Sequence, residues 1–392
     1  MTDQLLSSLL EQSSLVGPSE LPDLISRHAR TLGAANAEVF LVDLQQTSLC
    51  VMGDGCARVP IEGTLPGRVF ATSHPLWLDV DDGARLLLPI QDGAERLGVL
   101  ALDLAEKDAS REESASAFAH LIAELLMTKS SYGDEVEITR RAQHMTVAAE
   151  IQWGLLPPPT FGTDRVVISG TLEPAYEIGG DAYDYALNGD ILHFALLDGI
   201  GHGLPAASLV AVAMATYRNA RRSKKHLLET ARTIDMVMNA AADDELFVTG
   251  WLGELDTVTG ELVFLNAGHP RPMLLRNGRV VKEIGDEPQL PFGFGDPYPT
   301  AATEALEPGD RVLLYTDGVI EARDITGEFF GEQRLIDFVE RESASGYPAP
   351  EILRRLTAAV LLHQEGALQD DSSLVLASWL GMPDVRLGEN GL

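Results

Sequence analysis

Four acidic segments in the C-terminal part of the chain contain residue types that bind divalent cations. They are residues 179–181, 198–203, 315–318 and 370–371. Mg²⁺ and Mn²⁺ prefer oxygen ligands, and a site for two such ions needs several carboxylates with room for water and a phosphate oxygen. If these segments meet in the fold, they form a metal centre suited to phosphate chemistry.

Two of the carboxylates follow apolar stretches that predict β-strands. Residues 193–197 precede Asp198, and residues 312–315 precede Asp317. The end of a strand is a rigid position for a ligand. A single Asp-Gly pair is most often a turn, so one segment alone does not establish a site. The joint occurrence of four segments favours the metal centre.

Six motifs follow one another in this region. They are residues 177–184 (EIGGDAYD), 198–203 (DGIGHG), 266–270 (NAGHP), 290–293 (LPFG), 314–322 (LYTDGVIEA) and 370–373 (DDSS). Their order and spacing resemble the metal-dependent protein serine/threonine phosphatases, the PPM family, and especially its bacterial branch of sporulation stage II and stress-response regulators. The resemblance implies a β-sandwich flanked by helices, with two Mn²⁺ or Mg²⁺ ions at one edge.

The resemblance also implies roles for individual residues. Asp198 would bridge the two ions, and the backbone carbonyl of Gly199 would add a ligand. Asp181 would hold one ion, and Asp317 and Asp370 would hold the other. These residues are therefore the predicted metal ligands and the predicted catalytic group.

Other polar residues of the motifs leave alternatives open. Adjacent carboxylates cannot be ranked by sequence, and the resemblance favours Asp370 as the ligand and Asp371 as an auxiliary group. His202 could protonate the leaving group, but a packing role at the start of the next helix is the favoured interpretation. His269 is interpreted as a turn residue. Three arginines could clamp a substrate phosphate, and nothing in the sequence selects among them: Arg165, Arg271 and Arg323.

Composition limits the classes of function. A chain of 392 residues is expected to contain two or more domains. Its formal net charge of −30 argues against nucleic acid and anionic membranes as partners. The chain has only two cysteines, Cys50 and Cys56, which excludes a disulfide framework. Both lie outside the matched motifs, so a cysteine nucleophile has no support. With no basic leader and no long apolar run, we expect a cytoplasmic protein without a membrane span.

The N-terminal part predicts a second α+β domain. Residues 22–32 have the pattern of an amphipathic helix, and apolar stretches at 39–42, 86–90 and 97–102 predict strands. Pro89 places its strand at a sheet edge or ends it there. Residues 61–70, 86–90 and 97–102 resemble the GAF family of sensor and dimerisation domains. The resemblance implies either a small ligand or a ligand-free dimerisation role.

A helical linker is predicted between the two domains. Residues 135–156 look helical, and Ile138, Ala142, Met145 and Ala149 repeat at the spacing of a short coiled-coil seam. The prolines from residue 157 onwards end this helix. The predicted organisation is a GAF-like domain at 15–130, a coiled-coil linker at 131–157 and a phosphatase domain at 158–380.

These features predict a dimeric, Mn²⁺- or Mg²⁺-dependent phosphatase whose N-terminal domain regulates it. The resemblance implies that the substrate is a phosphorylated regulatory protein, such as an anti-sigma-factor antagonist. Two alternatives remain open at this point: a non-catalytic regulatory scaffold that kept the fold, and a phosphatase of small phosphorylated metabolites. Loss of metal carboxylates would indicate the scaffold, and all four are present.

Overall fold

The computed structural model describes residues 2–53, 57–176, 179–241, 246–285, 288–296, 299–365 and 370–381. The chain divides into two compact units, Met1–His144 and Met145–Leu392. The boundary lies inside the predicted linker at 131–157. Within the described ranges, no helix is both long and apolar enough to cross a membrane.

The first unit is a six-stranded antiparallel sheet with helices on both faces. Its elements are α1 Thr2–Ser13, α2 Leu21–Ala29, β1 Asn36–Val42, β2 Ser48–Val51, β3 Arg58–Pro60, α3 Leu65–Thr72, β4 Leu76–Val80, β5 Gly83–Asp92, β6 Glu95–Leu104, α4 Ala109–Lys129 and α5 Glu135–Arg140. The strand order is β3-β2-β1-β6-β5-β4. Helices α1, α2 and α4 cover one face, and α3 covers the other. This α+β arrangement is consistent with a GAF-like domain.

Most elements predicted for this unit are confirmed, but the expectation for Pro89 is wrong in part. Strand β5 lies between β6 and β4 and continues past the proline to Asp92. Pro89 is tolerated because β4 pairs only with residues 83–87. Proline has no backbone N–H to donate. At Pro89 the side of β5 that would need this donor has no strand partner, so no hydrogen bond is lost.

The second unit contains a β-sandwich with helices on its outer faces. Its elements are α6 Val147–Leu155, β7 Thr160–Gly162, β8 Val166–Glu173, β9 Asp181–Asn188, β10 Ile191–Gly199, α7 Gly203–Arg222, α8 Leu227–Ala241, β11 Val248–Asp256, β12 Glu261–Ala267, β13 Met273–Arg276, β14 Arg279–Glu283, β15 Ala302–Ala305, β16 Arg311–Tyr315, α9 Asp317–Ile320, α10 Gly331–Ala344, α11 Ala349–His363 and β17 Ser372–Trp379. The sandwich agrees with the predicted fold.

The two sheets have the orders β15-β12-β11-β10-β9 and β14-β13-β16-β17-β8-β7. Helices α7 and α8 pack on the first sheet, and α10 and α11 pack on the second. The inner faces meet at Tyr183 of β9, whose hydroxyl donates to the carbonyl of Gly170 on β8 at 3.4 Å. Gly170 is required there, because a Cβ atom would lie 2.5 Å from the tyrosine ring. This packing sets the ends of the two sheets side by side.

The predicted continuous helix at 135–156, and with it the coiled-coil seam, is wrong. Helix α5 ends at Arg140, and Arg141 has extended dihedral angles. Helix α6 begins at Val147, where the Thr146 hydroxyl caps it by accepting from the Ala149 amide at 3.2 Å. Threonine is a strong N-cap, so it starts a new helix where the apolar spacing alone suggests continuation. Ile138 therefore lies in the first unit and Met145 in the second.

Candidate metal centre

The first two predicted ligands lie directly opposite each other in the five-stranded sheet. Asp181 begins β9 and Asp198 lies at the end of β10, and the antiparallel ladder pairs these two residues. The pairing follows from a tight turn at residues 189–190, which fixes the register of the hairpin. The same turn therefore sets the positions of both carboxylates.

The other sheet brings the remaining acidic segments to the same edge. Strand β16 ends just before Thr316, and β17 begins just after Asp371. The Thr316 amide donates to the carbonyl of Ser373 at 3.1 Å, and the Ser373 amide donates back to the Thr316 hydroxyl at 3.0 Å. These bonds hold the segments that carry Asp317 and Asp370 next to each other.

Asp371 and Thr316 join the two sheets at this edge. The buried Asp371 carboxylate accepts the amide of Gly179 at 3.0 Å and the amide of Gly180. The Thr316 hydroxyl donates to Asp181 Oδ2 at 2.8 Å. Asp371 therefore holds the turn before β9 with its side chain, while its neighbour Asp370 is exposed.

Two glycines allow the backbones to approach this closely. A Cβ atom at Gly180 would lie 2.3 Å from the Gly199 carbonyl oxygen, and one at Gly318 would lie 1.8 Å from the Asp371 carbonyl oxygen. Both separations are shorter than any real contact. The glycines in these motifs thus serve the assembly of the site, beyond forming turns.

The carboxylates repel one another strongly enough to change their acidity. Burial, followed by the charges of Asp317, Asp370 and Asp371, raises the pKa of Asp198 to about 7. Burial, followed by the charges of Asp198 and Asp371, raises the pKa of Asp181. Like charges at such positions favour protonation unless a cation neutralises them. Charge and donor chemistry at this edge therefore fit divalent metal ions.

The ligand shell is not closed in the present side-chain positions. In the ranges that the structure describes, no three acidic, histidine or cysteine side chains stand around one point as a finished metal site. Asp317 and Asp370 are exposed, so their side chains can rotate towards the pair formed by Asp181 and Asp198. Gly199 is buried and is the last residue of β10, directly after Asp198.

The two histidines of the motifs differ in their surroundings. His202 is the N-cap residue of α7, but it is exposed and makes no capping hydrogen bond, so the packing interpretation is not supported. His269 is buried, and its backbone amide and carbonyl bond the side chain of Asn266 at 2.8 and 2.9 Å. Burial lowers the pKa of His269 to about 3, so the ring is neutral. The turn interpretation of His269 is confirmed.

The three candidate arginines have partners of their own. Arg165 pairs with Asp190 at 2.8 Å, and Arg271 pairs with Glu283 at 2.6 Å. The guanidinium of Arg323 lies 4.5 Å from the ring centroid of Phe329. None of these contacts involves an acidic residue of the metal centre.

Two residues near the centre have roles that the sequence did not reveal. One is Thr316, which lies directly before Asp317 in its motif and whose hydroxyl orients Asp181. The other is Gln152 of α6, a fully buried residue whose Nε2 donates to the Asp181 carbonyl at 2.5 Å. Helix α6 is held in addition by Trp153, whose indole donates to the Ala175 carbonyl at 2.8 Å. The helix thus docks on the segment that leads into β9.

Metal-free protein is expected to lose stability as the pH rises from about 4 to about 7. The pKa of Asp198 is raised from 3.8 to about 7 in the folded state, so the folded chain keeps a proton that the unfolded chain releases in this window. The free energy of unfolding must then fall with increasing pH. Burial also raises the pKa values of Asp181 and Asp371, which adds to the effect. Melting temperatures measured in EDTA at about pH 5 and about pH 7.5 check this.

The matching control is addition of Mn²⁺ at the higher pH. Because the ion binds only the folded site, it should raise the melting temperature there. Equal melting temperatures at both pH values in EDTA would show that the carboxylates do not interact as the structure indicates.

The chain is similar to known proteins. Residues 188–380 match the family model described as stage II sporulation protein E (SpoIIE). Protein IcfG of Synechocystis sp. is 27% identical over 264 residues, which cover 58% of this chain and 40% of that protein. Phosphoserine phosphatase RsbU of Bacillus subtilis is 23% identical over 232 residues, which cover 59% of this chain and 68% of that protein. The chain thus aligns with less than half the length of IcfG.

Among solved structures, the SiaA-PP2C domain of Pseudomonas aeruginosa has a similar fold. It superposes with a TM-score of 0.51 at 23% sequence identity, covering 59% of this chain and 94% of that chain. At this level of identity the likeness concerns the fold alone.

Proposed function

We propose that the second unit is a metal-dependent protein serine/threonine phosphatase, because residues 188–380 match the stage II sporulation protein E (SpoIIE) family model. The observation that carries the proposal is the meeting of four acidic segments at one edge of the sandwich, where burial and then the acidic neighbours raise the pKa of Asp198. The similarity to RsbU, a phosphoserine phosphatase, supports the same reaction. The substrate bond is then the phosphate ester of a serine or threonine.

In this proposal the metal ligands are Asp181, Asp198, Asp317, Asp370 and the carbonyl of Gly199. Two bound Mn²⁺ or Mg²⁺ ions would neutralise phosphoryl oxygens and make water more acidic. The β9–β10 ladder holds Asp181 and Asp198 face to face, and Thr316 orients one oxygen of Asp181. Asp371 keeps the preceding turn in place. No side-chain nucleophile is needed.

We further propose that the substrate is a phosphorylated regulatory protein, such as an anti-sigma-factor antagonist. The reason is the motif resemblance, together with the phosphoserine activity in the name of RsbU. We also propose that the chain acts as a homodimer. A purified chain that sediments as a monomer at micromolar concentration would contradict the dimer.

The test of this function is phosphate release from phosphorylated candidate partner proteins. We expect turnover with added Mn²⁺ or Mg²⁺ and none after exhaustive chelation, because uncompensated carboxylates would repel the substrate phosphate. Free phosphoserine and small sugar phosphates serve as competing substrates. Faster hydrolysis of these than of every phosphoprotein would replace the proposed substrate class, and full turnover in EDTA would exclude the metal mechanism.

We propose in addition that the N-terminal unit regulates the phosphatase. The first helix after the boundary is α6, and Gln152 on this helix bonds the backbone of Asp181. A shift of α6 would therefore change the position of a proposed metal ligand. This route does not require the coiled coil that the sequence suggested.

Gln152→Leu is expected to lower kcat/KM by about tenfold. Removing the donor leaves the buried carbonyl of Asp181 unpaired, a cost of about 1–3 kcal/mol that favours displacement of the strand end. The matched variant is Trp153→Phe, which removes the neighbouring hydrogen bond to Ala175 instead. Activity and Mn²⁺ dependence are measured for both. Equal losses would mean that α6 supports the fold without acting on the metal centre.

A further inference from the structure

The sheet face beneath α7 and α8 extends beyond the cover of these helices. Ala195 and Leu197 of β10 are buried in the core that the two helices form with the sheet. Side chains on one face of a strand recur at every second residue, so His193 lies on the same face. Its ladder partner is Glu254, whose carboxylate oxygen lies 3.4 Å from His193 Nδ1. The sheet face is therefore polar where the helices end.

The end of α7 and the turn that follows it, residues 221–225, are rich in basic residues and lie above the sheet face that carries His193 and Glu254. We call residues 221–225 the basic wall and this sheet face the floor. Four of the 29 lysines and arginines of the chain fall within residues 221–225. Arg221 is held by the buried Asp184, with Nη1 and Oδ2 2.7 Å apart. Arg222 and Lys224 are exposed and make no ion pair with any residue that the structure describes. Their charges are available to a ligand.

A cavity of about 820 Å³ lies between the wall and the floor. Its basic side is formed by Arg222, Lys224 and Lys225, and its acidic side is formed by Glu254, Asp256 and Glu261. The volume is within the range of small-molecule binding sites. The lining offers both positive charge and hydrogen-bond acceptors.

The cavity is remote from the metal centre. Helix α7 begins at Gly203, close in sequence to Asp198, and ends at Arg222 beside the cavity. A helix of 20 residues is about 30 Å long. A molecule in the cavity would therefore be separate from a substrate at the carboxylates.

We propose that this cavity binds a small phosphorylated molecule of the nucleoside phosphate class. Guanidinium and ammonium groups form charge-assisted hydrogen bonds with phosphate oxygens, so the phosphates would contact Arg222, Lys224 and Lys225. Amino and hydroxyl groups of the base and sugar would donate to Glu254 and Glu261. A ligand with a phosphate end and a donor-rich end fits the two sides of the cavity.

The net negative charge of the protein disfavours binding of an anionic ligand outside the cavity. The formal net charge is −30, so an anion is repelled from most of the surface. At 0.1 M salt, exposed charges act over only about 10 Å, so phosphates at the basic side would respond mainly to the nearby Arg222, Lys224 and Lys225 and little to the distant surface. Helix α8 begins at Leu227, immediately after the wall, and the positive end of its dipole adds to the attraction.

Titration of the full chain with ATP in EDTA, followed by calorimetry, tests the proposal. Chelation removes the ions through which a phosphate could bind at Asp198, so the metal centre does not contribute. ATP and inorganic pyrophosphate are expected to bind, with affinities that fall as salt is added, and adenosine is expected not to bind. Adenosine binding as tightly as ATP, or no detectable binding of ATP, would overturn the proposal.

Charge-matched double variants locate the site. Arg222→Gln with Lys224→Gln should weaken ATP binding by roughly tenfold to a hundredfold, since each charged hydrogen bond contributes about tenfold. Arg68→Gln with Arg279→Gln removes the same charge from exposed positions elsewhere and should leave the affinity unchanged. All four side chains are exposed, so both proteins should fold, which their melting temperatures verify. Equal loss of affinity in the two variants would place the binding outside this cavity.

Discussion

Replacement of Asp198 by asparagine is expected to lower phosphate release by about a thousandfold or more. The amide keeps the shape of the side chain but removes the charge that would bridge the two ions. Metal-ion catalysis contributes several kcal/mol to lowering the barrier, and each 1.36 kcal/mol corresponds to a factor of ten in rate. The measurement is the initial rate with a phosphorylated protein at saturating Mn²⁺.

The melting temperature of the variant shows whether the loss of activity comes from the missing charge or from unfolding. Asp198 is repelled by Asp317 and Asp370, so the metal-free variant should melt no lower than the wild type at about pH 7.5. Asp190→Asn is the matched control, because it removes a charge at the opposite end of the same strand pair. A variant that unfolds, or an Asp190 variant that loses the same activity, would remove the reason to assign Asp198 to the metal ions.

Asp371→Asn is expected to weaken Mn²⁺ binding by about 10- to 100-fold and to lower stability. The carboxylate accepts amides from Gly179 and Gly180, and an asparagine would turn an NH₂ group towards one of them. Groups that hold metal ligands in place typically contribute this much to metal affinity. A buried donor left unpaired costs about 1–3 kcal/mol. The readouts are Mn²⁺ dependence of activity and melting temperature in EDTA.

The neighbouring variant Asp370→Asn supplies the contrast. Asp370 is exposed, so its replacement should weaken metal binding without lowering the melting temperature of the metal-free protein. High Mn²⁺ should restore much of the activity of the Asp371 variant, whose proposed ligands are all present. If the stability loss occurs at Asp370 and not at Asp371, the two assignments must be exchanged.

Local sequence signals placed five of the strands, and the motif resemblance implied the edge at which the acidic segments meet. The apolar runs before Asp198 and Asp317 are local features, and the structure confirms both strands. The role of Asp371 could not be deduced in the same way. Its partners Gly179 and Gly180 lie more than 190 positions away along the chain, and only the packing of two sheets brings them together.

The linker shows the limit of periodicity as evidence. The spacing of Ile138, Ala142, Met145 and Ala149 satisfies a helical repeat, yet the chain leaves the helix after Arg140. The Arg141 carbonyl accepts from Arg58 at 2.5 Å, and the Thr146 amide donates to Tyr176 at 3.0 Å. Each half of the segment thus finds partners in its own unit. An apolar repeat does not contain that information.

Strand β17 lies between β16 and β8 in its sheet, although it comes last in the chain among the strands described. During synthesis, β8 and β16 leave the ribosome earlier and would have unpaired edges until residues 372–379 emerge. Asp370 and Asp371 immediately precede that strand, so the acidic segments cannot meet any sooner. The proposed metal centre of a nascent chain would therefore stay incomplete, and its unpaired strand edges would be open to wrong pairing, until this strand is inserted.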